Sequence, residues 1–439
     1  MTKFLESSIF KNIRRFNSVN AFEIFQSIKP DNSCKYLEKY LLEEKRTFYC
    51  GFDPSAPSLQ FGNLAPLIGL LRSVKNVHNA LLLIGDFTVK VGDPSGRKTE
   101  REFKESGYYE NNSKELEKFF EKMIENIRNS SLKDYRNISI NIVKNSDWLS
   151  LMTLMDFTDF PCKDIRVKEV LSKESMQTRL NNSNDSLTCK EFIYPLLQAY
   201  DFYHLYKNYH CTIQIGGSDQ TGNFTIGHEL IRKAENFKTF GLFVPLLTNS
   251  DGIKWGKSEN DQDRIWLSQN VQSSFHLYQK ILNLPDSLVC REKFLQSVSL
   301  LDNQDINQIK MEHLKKPEAR LLQRELANHL LEILHGGPQM QMANLITRLI
   351  FHNGKKNFNS VDQIFDSGLA DDSEIRNLFV SITNFAEDYP ERKFHPVLPV
   401  AYVEESDFSQ PKRFLNLLSG ILSLNSNEPE KSLSNRFYN

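Results

Sequence analysis

Three glycine-containing stretches each place polar or charged residues beside a predicted strand. In the first, residues 49–63 (YCGFDPSAPSLQFGN), a strand ends at an Asp53-Pro54 turn and a helix follows with Gly62 and Asn63 at its start. A glycine there lets a flat ring or a phosphate approach the backbone, and the first N–H groups of a helix can bind an anion. Alternatively, Gly62 only serves the turn.

The second stretch, residues 92–101 (GDPSGRKTER), combines an aspartate beside its first glycine with several cations. Asp93 stands at the end of a predicted strand or loop and could hold a cation, whereas Arg97, Lys98 and Arg101 follow on a flexible segment. Mobile cations of this kind could close over phosphates. The alternative is a surface loop whose charges face water.

The third stretch, residues 215–223 (IGGSDQTGN), pairs with a later KWGKS segment. Gly217 leaves room for a ligand at a strand end, and Asp219 could accept hydrogen bonds from two ribose hydroxyls. Lys254 and Lys257 flank a glycine after the next predicted strand, which suits a phosphate clamp. By itself, such a loop could also be a plain β-turn.

A helix between these stretches carries an unusual polar stripe. In residues 190–202 (KEFIYPLLQAYDF), Tyr194, Gln198 and Asp201 are spaced i, i+4 and i+7 and therefore lie on one helical face. A phenol, an amide and a carboxylate together suit a polar pocket for a small zwitterion. A buried polar network without a ligand is the alternative.

The elements that must position these residues alternate between strand and helix. Strands are predicted at 47–52, 81–86, 138–144, 211–216 and 241–247, and helices at 64–73, 113–127, 190–207 and 222–233. This alternation predicts a parallel sheet wrapped by helices, with ligands at the carboxyl ends of its strands. After about residue 267 the pattern is helical only. Helices are predicted at 272–282, 291–301, 318–334 and 340–351.

Composition excludes several other classes of protein. The chain has 439 residues, 54 Lys and Arg against 55 Asp and Glu, and a net charge of −1, which excludes a uniformly basic nucleic-acid coat but not a local basic patch. Its six cysteines form no C-x-x-C pair, so no zinc ribbon or dithiol motif is predicted. No apolar run approaches the roughly 20 residues of a membrane span, so no membrane partner is expected.

The first 20 residues differ from the rest of the chain. Lys3, Lys11, Arg14 and Arg15 against Glu6 give them a charge of +3, and apolar residues recur at helical spacing. A basic amphipathic segment that contains serine resembles a mitochondrial transit peptide. A frayed N-terminus is the alternative.

Five motifs, taken in order, resemble those of the tyrosyl-tRNA synthetase family of class I aminoacyl-tRNA synthetases. They are YCGFDP with Gly62-Asn63, GDPSGR, EF-x-YPLLQAYDF, QIGGSDQ-x-GN and KWGKS. The likeness covers about residues 45–265, and residues 320–336 resemble the family's anticodon-recognition helices. The resemblance implies an α/β, Rossmann-like catalytic domain with a dimer-interface insertion at 21–267, after a transit peptide at 1–20. A helical anticodon-binding domain at 268–380 and a C-terminal region at 381–439, a degenerate S4-like domain in this interpretation, would follow.

The family resemblance also implies a reaction and partners. L-tyrosine and ATP would give tyrosyl-adenylate and pyrophosphate, and the tyrosyl group would pass to the 3′ end of tRNA(Tyr). The basic N-terminal segment would place this reaction in the mitochondrial matrix. ATP is a substrate, Mg²⁺ accompanies its phosphates without a protein-held metal site, and a homodimer is expected, with residues 152–180 supplying the contact. A synthetase-derived RNA-binding scaffold without catalysis and a tryptophan-specific relative stay open as alternatives.

Site residues carry over from the family motif by motif. The tyrosine substrate would contact Tyr49, Asp93, Tyr194, Gln198, Asp201 and Gln214. ATP would contact Asp53, Gly62, Asn63, Gly217, Asp219, Gln220, Lys254 and Lys257. Catalytic positions would be Gln60, Asn63, Arg97, Arg101, Lys254, Lys257 and Ser258. For tRNA, the best basic patch lies within 306–324 and comprises Lys310, Lys315, Lys316, Arg320 and Arg324. A solvated helix face is the alternative for this patch.

Three positions depart from the family pattern. Gln60 replaces the first histidine of the family's His-x-Gly-His or His-x-Gly-Asn signature, and it cannot become cationic. Asp86 replaces a glycine of the family's Gly-Gly-x-Thr turn, and Thr221 stands where a larger residue is usual. Gln60 and Asp86 leave room for an altered ATP site.

Overall fold

A six-stranded sheet organises the computed structural model, which describes residues 26–27, 37, 39–41, 43–75, 78–95, 104–181, 186–245, 247 and 264–351. The order across the sheet is β1-β6-β5-β2-β3-β4. Its strands are β1 (Gln26–Ser27), β2 (Thr47–Phe52), β3 (Asn79–Ile84), β4 (Ser139–Lys144), β5 (Cys211–Gly217) and β6 (Phe240–Val244). β1 pairs antiparallel with β6, and all the other pairs are parallel. The predicted parallel sheet is confirmed, and β1 was not predicted.

The order in which strands are added to the sheet reverses between β2 and β5. β3 and β4 extend from one side of β2, whereas β5 and β6 extend from the other. A crevice opens at such a switch point, because the connections leave the two neighbouring strands in opposite directions. Tyr49 of β2 pairs in register with Gln214 of β5, so their side chains lie next to each other on one face of the sheet.

Helices cover both faces of the sheet. They are α1 (Leu64–Val74), α2 (Ser106–Asn129), α3 (Ser146–Leu149), α4 (Leu154–Phe157), α5 (Val167–Leu171), α6 (Glu174–Leu180), α7 (Cys189–Tyr209) and α8 (Thr221–Glu235). On one face the Tyr49 ring packs 5.2 Å from that of Phe202 in α7, and on the other the Phe52 ring lies 5.5 Å from that of Phe120 in α2. The core therefore lies on both sides of the central strands.

Several element boundaries differ from their predicted positions. The strand predicted at 241–247 ends at Val244, because Pro245 follows and has no N–H to donate to a neighbouring strand. The strand predicted at 81–86 is Asn79–Ile84. The helix predicted from 113 begins at Ser106, where Tyr109 is buried and Asn112 Nδ2 donates to Pro54 O at 3.2 Å. The periodicity of the sequence does not report such tertiary contacts.

The region after the sheet is helical over its described residues. Its helices are α9 (Ser274–Leu282), α10 (Asp286–Val289), α11 (Glu292–Val298), α12 (Asn303–Lys315), α13 (Leu321–Leu334) and α14 (Gly337–Phe351). The helix predicted at 291–301 ends at Val298, and the one predicted at 318–334 begins at Leu321. Arg320, immediately before α13, has a left-handed backbone (φ 49°), which separates that helix from the preceding turn.

The helical region packs directly against α1. The guanidinium of Arg72 donates to Ser299 O at 2.9 Å and to Leu301 O at 2.6 Å. At the other end of α1, the ring of Phe61 stacks on that of Phe294, with centroids 6.3 Å apart. Met1–Met340 forms one unit and Gln341–Asn439 a second. Among the described helices, none combines the length and apolarity needed to cross a bilayer.

Candidate active site

A cleft of about 920 Å³ opens at the carboxyl ends of the central strands. It brings together every predicted site residue that the structure describes: Tyr49, Asp53, Gln60, Gly62, Asn63, Asp93, Tyr194, Gln198, Asp201, Gln214, Gly217, Asp219 and Gln220. Predicted site residues outside the described part of the chain are Arg97, Arg101, Lys254, Lys257 and Ser258. Residues far apart in sequence therefore converge at the switch point between β2 and β5.

One end of the cleft presents a buried phenol. Tyr49 is 1% exposed, and its hydroxyl has no hydrogen-bond partner among the described residues. The Oε1 atom of its neighbour Gln214 is also buried and has no described partner. Burial, reinforced by Cys211 and Asp201, raises the pKa of Tyr49 well above its usual value of 10. The hydroxyl therefore stays protonated and can donate a hydrogen bond to a ligand.

A buried carboxylate stands in the same part of the cleft. Asp201 Oδ2 accepts from Asn145 Nδ2 at 3.0 Å, and Asp201 Oδ1 accepts from Trp148 Nε1 at 2.8 Å. Burial raises the pKa of Asp201 to about 7, although both hydrogen bonds lower it, and the nearby carboxylates of Asp53 and Asp86 raise it further. The two hydrogen bonds fix the orientation of the carboxylate, and its other lone pairs can accept a hydrogen bond from a ligand.

Asn145 and Trp148 were missed in the sequence. Asn145 comes directly after β4 and Trp148 lies in α3. A polar residue at the carboxyl end of a parallel strand is the signal that singled out Asp53 and Asp219, and the same signal could have found Asn145. Trp148 had no signal of its own, because helices as short as α3 to α6 show too little periodicity to be predicted.

A second cluster links Asp93 to α7 and α8. Gln220 Nε2 donates to Asp93 Oδ2 at 2.8 Å, and the backbone N–H of Ser95 donates to Asp93 Oδ1 at 2.9 Å. Asn223 Nδ2 donates to Gln198 Oε1 at 2.9 Å and to Gln220 Oε1 at 3.1 Å. Asn223 belongs to the predicted IGGSDQTGN stretch, but no role was assigned to it. This cluster offers a carboxylate and amide oxygens to a cationic group.

Asp53 links the two clusters across the floor of the cleft. Its carboxylate accepts from Tyr194 Oη at 3.0 Å and from Thr88 Oγ1 at 2.9 Å, and Thr88 Oγ1 in turn accepts from Asn145 Nδ2 at 3.0 Å. A Cβ atom at Gly85 would collide with Asp53 Oδ1, so only glycine allows this approach. Thr88 was another residue that the sequence did not single out.

The remaining side of the cleft is built from tight turns. Residues Phe61–Asn63 form a 3₁₀ turn before α1, and the Gln60 N–H donates to Asn63 Oδ1 at 2.9 Å. Ser218–Gln220 forms a similar turn after β5 and carries Asp219 into the cleft. Gly62 and Gly217 leave space between the two turns for a planar ring and a sugar. No group of three or more His, Cys, Asp or Glu side chains in the described part of the chain could hold a metal ion.

Asp86 is not a residue of this cleft. Its carboxylate accepts hydrogen bonds from the N–H of Ser146 at 3.0 Å and from Ser146 Oγ at 2.7 Å. Gln60, by contrast, lines the cleft beside Gly62. Asp86 lies at the ends of β3 and β4, near Asp201. This position gives no support to the hypothesis that Asp86 alters the ATP site.

The cleft thus has a buried phenol near a buried carboxylate, a second cluster of one carboxylate with amide groups, and a side that contains Gly62 and Gly217. Comparison with known proteins identifies the family of the chain. The model of the family described as tRNA synthetases class I (W and Y) matches residues 42–352.

Individual relatives and solved structures are also similar. The mitochondrial tyrosine–tRNA ligase of Drosophila melanogaster is 35% identical over 361 residues, which are 80% of this chain and 77% of that protein. Its human counterpart is 36% identical over 76% of this chain and 67% of its own length. A crystal structure of a C-terminally truncated mitochondrial tyrosyl-tRNA synthetase from Aspergillus nidulans gives a TM-score of 0.65 at 26% identity, covering 75% of this chain and 91% of the other. The chain therefore belongs to the class I tRNA synthetases, among the mitochondrial tyrosyl-tRNA synthetases.

Proposed function

We propose that this chain activates L-tyrosine with ATP and transfers the tyrosyl group to the 3′ end of tRNA(Tyr) in mitochondria. The observation that carries the proposal is the Tyr49 hydroxyl, which is buried without a partner among the described residues in the cleft that also holds Asp201. An unpaired buried hydroxyl is costly, so a ligand that satisfies it gains affinity. A substrate phenol can accept from Tyr49 and donate to Asp201 at once.

The other end of the substrate fits the second cluster. We assign Asp93, Tyr194 and Gln198 to the ammonium group, with Gln214 in support. Asp93 carries the charge, and its hydrogen bonds from Gln220 and Ser95 hold its oxygens in place. Tyr194 donates to Asp53, so its hydroxyl oxygen keeps lone pairs for an ammonium hydrogen. A zwitterion with a terminal phenol matches both ends of the cleft.

ATP would occupy the glycine-lined side. Gly62 lies where an adenine could approach the backbone, Asp219 can accept from the ribose hydroxyls, and Gly217 leaves space between them. Asp53, Asn63 and Gln220 line the cleft between the two substrates, where the adenylate would form. Gln60 and Asn63 stand at the start of α1, whose first N–H groups can approach phosphate oxygens.

The phosphate clamp rests on the motifs and on general chemistry. Arg97, Arg101, Lys254 and Lys257, with Ser258, would close on the β- and γ-phosphates. Mg²⁺ bound to the phosphates would share their negative charge. These cations and the metal would stabilise charge that develops on the leaving group.

The protein needs no covalent step of its own. A carboxylate oxygen of tyrosine attacks the α-phosphorus of ATP, the bond from that phosphorus to the β-phosphate oxygen breaks, and pyrophosphate leaves with the electron pair. A ribose hydroxyl of the terminal adenosine then attacks the tyrosyl carbonyl carbon, and AMP leaves. Catalysis in both steps comes from alignment and from stabilised charge.

Pyrophosphate exchange into ATP tests the amino acid specificity. We expect exchange with tyrosine, far weaker exchange with phenylalanine and none with tryptophan, whose indole has no hydroxyl for Asp201. Tyrosylation of mitochondrial tRNA by the same preparation tests the second step. Absence of exchange with all three amino acids would favour a scaffold without catalysis, and exchange with tryptophan alone would overturn the assigned specificity.

We also propose a homodimer in the mitochondrial matrix. An exposed apolar patch lies in and just before the segment predicted to supply the subunit contact, residues 152–180. Its members are Leu151, Leu154, Met155, Val167 and Leu180. Exposed apolar side chains grouped in this way are typical of protein interfaces.

The domain boundaries stay proposals as well. We assign residues 1–20 to a transit peptide, 21–267 to catalysis, 268–380 to anticodon binding and 381–439 to a C-terminal region of S4-like origin. On α12, on α13 and in the turn between them, the cations Lys315, Lys316, Arg320 and Arg324 are exposed. These residues support a contact with tRNA phosphates at this surface.

A further inference from the structure

Asp86 joins the ends of two neighbouring strands through a single serine. It follows β3, whereas Ser146 follows β4, and one Asp86 oxygen accepts from the Ser146 N–H at 3.0 Å while the other accepts from Ser146 Oγ at 2.7 Å. Such a two-oxygen contact restricts both side chains, because both acceptor atoms are engaged by one residue. We call this contact between Asp86 and Ser146 the strand-end clasp.

The strand-end clasp lies next to both donors that hold Asp201. Asn145 immediately precedes Ser146, and its Oδ1 accepts from the Phe87 N–H at 2.9 Å while its Nδ2 donates to Asp201 Oδ2 at 3.0 Å. Ser146 is also the first residue of α3, which carries Trp148. Any shift of Ser146 therefore moves the Asn145 amide and the Trp148 indole relative to Asp201.

We propose that Asp86 is a positioning residue for tyrosine recognition: by clasping Ser146, it holds Asn145 and Trp148 against Asp201 and so sets the preference for tyrosine over phenylalanine. The inference rests on the proposed function of the cleft. Asp86 does not line the cleft, so it acts only through Asp201. A carboxylate with one fixed donor on each oxygen keeps its remaining lone pairs in fixed directions, and a substrate hydroxyl must approach along one of them.

The mechanism predicts an effect on one substrate only. Tyrosine donates its hydroxyl to Asp201, so loosening the carboxylate weakens tyrosine binding. Phenylalanine has no hydroxyl and gains nothing from an oriented Asp201. ATP lies on the other side of the cleft, beside Gly62 and Asp219. A defect confined to tyrosine therefore separates positioning of Asp201 from general damage to the fold.

The experiment compares clasp variants in full-length enzyme by pyrophosphate exchange with tyrosine and with phenylalanine. Asp86→Gly removes both acceptors, Ser146→Ala removes one donor, and Asp86→Asn keeps one acceptor. The control is Ser131→Ala, because Glu332 accepts from the Ser131 N–H at 2.8 Å and from Ser131 Oγ at 3.1 Å in the same geometry, away from the cleft.

For Asp86→Gly we expect the KM for tyrosine to rise about fivefold to tenfold, as the loss of one or two hydrogen bonds predicts. The KM for ATP and the kcat/KM for phenylalanine should stay within about twofold, so discrimination falls by the same factor as tyrosine binding. Ser146→Ala and Asp86→Asn should give smaller rises in the same direction. Ser131→Ala should match the unsubstituted enzyme.

Three results would overturn parts of this account in distinguishable ways. If Asp86→Gly and Ser146→Ala leave the KM for tyrosine and the discrimination unchanged, Asp86 does not position Asp201. If tyrosine, phenylalanine and ATP parameters all worsen together while Tm falls, its role is purely structural and the inference is wrong. Should Asp86→Gly fail to fold, Ser146→Ala decides between these outcomes. No exchange with tyrosine by the unsubstituted enzyme would instead refute the proposed function.

Discussion

At the scale of single residues, burial decides what Tyr49 and Asp201 can do. Both side chains lie inside the cleft, and burial raises the pKa of each. The phenol therefore stays a neutral donor, and the carboxylate remains an acceptor at the pH values above its own pKa of about 7. Recognition of a substrate phenol by these two groups depends on the protonation state that the fold imposes on them.

Substitution of Tyr49 by phenylalanine tests the donor. Tyr49→Phe removes one hydrogen bond to the substrate, so we expect kcat/KM for tyrosine in pyrophosphate exchange to fall about fivefold to twentyfold. The kcat/KM for phenylalanine should stay unchanged. Tyr278→Phe, at a buried tyrosine in α9, serves as the control and should leave discrimination intact. An equal loss with both amino acids would contradict the assignment.

The pH dependence tests the acceptor. Since the pKa of Asp201 is raised to about 7, lowering the pH through this value protonates the carboxylate. The ionised form, which is the stronger acceptor of a hydrogen bond from the substrate hydroxyl, is then lost. We expect kcat/KM for tyrosine to rise with pH up to about 7 and then level off, and Asp201→Asn to abolish this rise. The ratio of tyrosine to phenylalanine kcat/KM should follow the same curve. A ratio that does not change between pH 5.5 and pH 8 would exclude this role for Asp201, because the ionised fraction of a group with a pKa of about 7 rises roughly thirtyfold over that range.

The phosphate clamp gives a third prediction at this scale. Lys257→Ala removes a cation that matters after ATP has entered, so we expect the rate of adenylate formation to fall by about 10²-fold or more while tyrosine affinity changes less than about threefold. Single-turnover kinetics and equilibrium binding measure the two quantities. Equal losses in rate and in affinity would remove Lys257 from the clamp.

At the scale of elements, α7 presents Tyr194, Gln198 and Asp201, so its placement determines the site. Its first turn is capped by Thr188, whose Oγ1 accepts from the Glu191 N–H at 3.2 Å. Arg179 of α6 is 0% exposed and donates to both carboxylate oxygens of Glu191, at 2.9 and 3.0 Å. Burial alone would raise the pKa of Glu191, but the hydrogen bonds from Arg179 and Thr188 lower it below its usual value. The pair therefore anchors the helix that carries the tyrosine site.

Removal of Arg179 should destabilise the protein, because it leaves the buried carboxylate of Glu191 without its cationic partner. We expect Arg179→Met to lower the free energy of unfolding by about 3–5 kcal/mol, and the double variant with Glu191→Met to recover part of that loss. Arg232→Met, which breaks the exposed pair with Glu229 on α8, should leave the free energy of unfolding nearly unchanged. Denaturant unfolding measures all three. A double variant less stable than Arg179→Met would contradict the explanation that the unpaired Glu191 carboxylate causes the loss of stability.

Prediction from sequence succeeded best for α7, α8 and the central strands β2 and β5. α7, α8 and β5 were placed to within one or two residues, because their apolar periodicity persists over the whole element. Helices α3 to α6 were not predicted. They are too short to show a period and are stabilised by contacts such as the bonds of Trp148 and Arg179 to α7.

At the scale of the whole molecule, five exposed apolar side chains between Leu151 and Leu180 form the proposed subunit contact. Leu154 is 77% exposed and Met155 is 66% exposed. Leu180 is the last residue of α6, and the proposed contact runs along the chain from Leu151 to this residue. A charged residue placed in the patch should therefore weaken subunit association more than it lowers the free energy of unfolding.

Gel filtration tests the assembly. We expect Met155→Glu to convert the dimer to a monomer at micromolar concentration, because burying an unpaired carboxylate in an interface costs several kcal/mol. Met311→Glu is the matched control, since Met311 on α12 is 62% exposed and lies outside the patch. An unsubstituted chain that elutes as a monomer would refute the dimer, and a Met155→Glu dimer would place the contact elsewhere.

The sequence alone determined the family-like motifs, the alternation of strand and helix, and a set of predicted site residues whose described members all line the cleft. Each of those conclusions depends on local patterns: a glycine at a strand end, a stripe on one helix face, an apolar period. Only the tertiary structure decided that Asn145, Trp148, Thr88 and Asn223 complete the site and that Asp86 clasps Ser146 instead of facing the ATP side. Those contacts join residues distant in the chain, and which of them meet depends on the strand order and register that packing of the whole core selects.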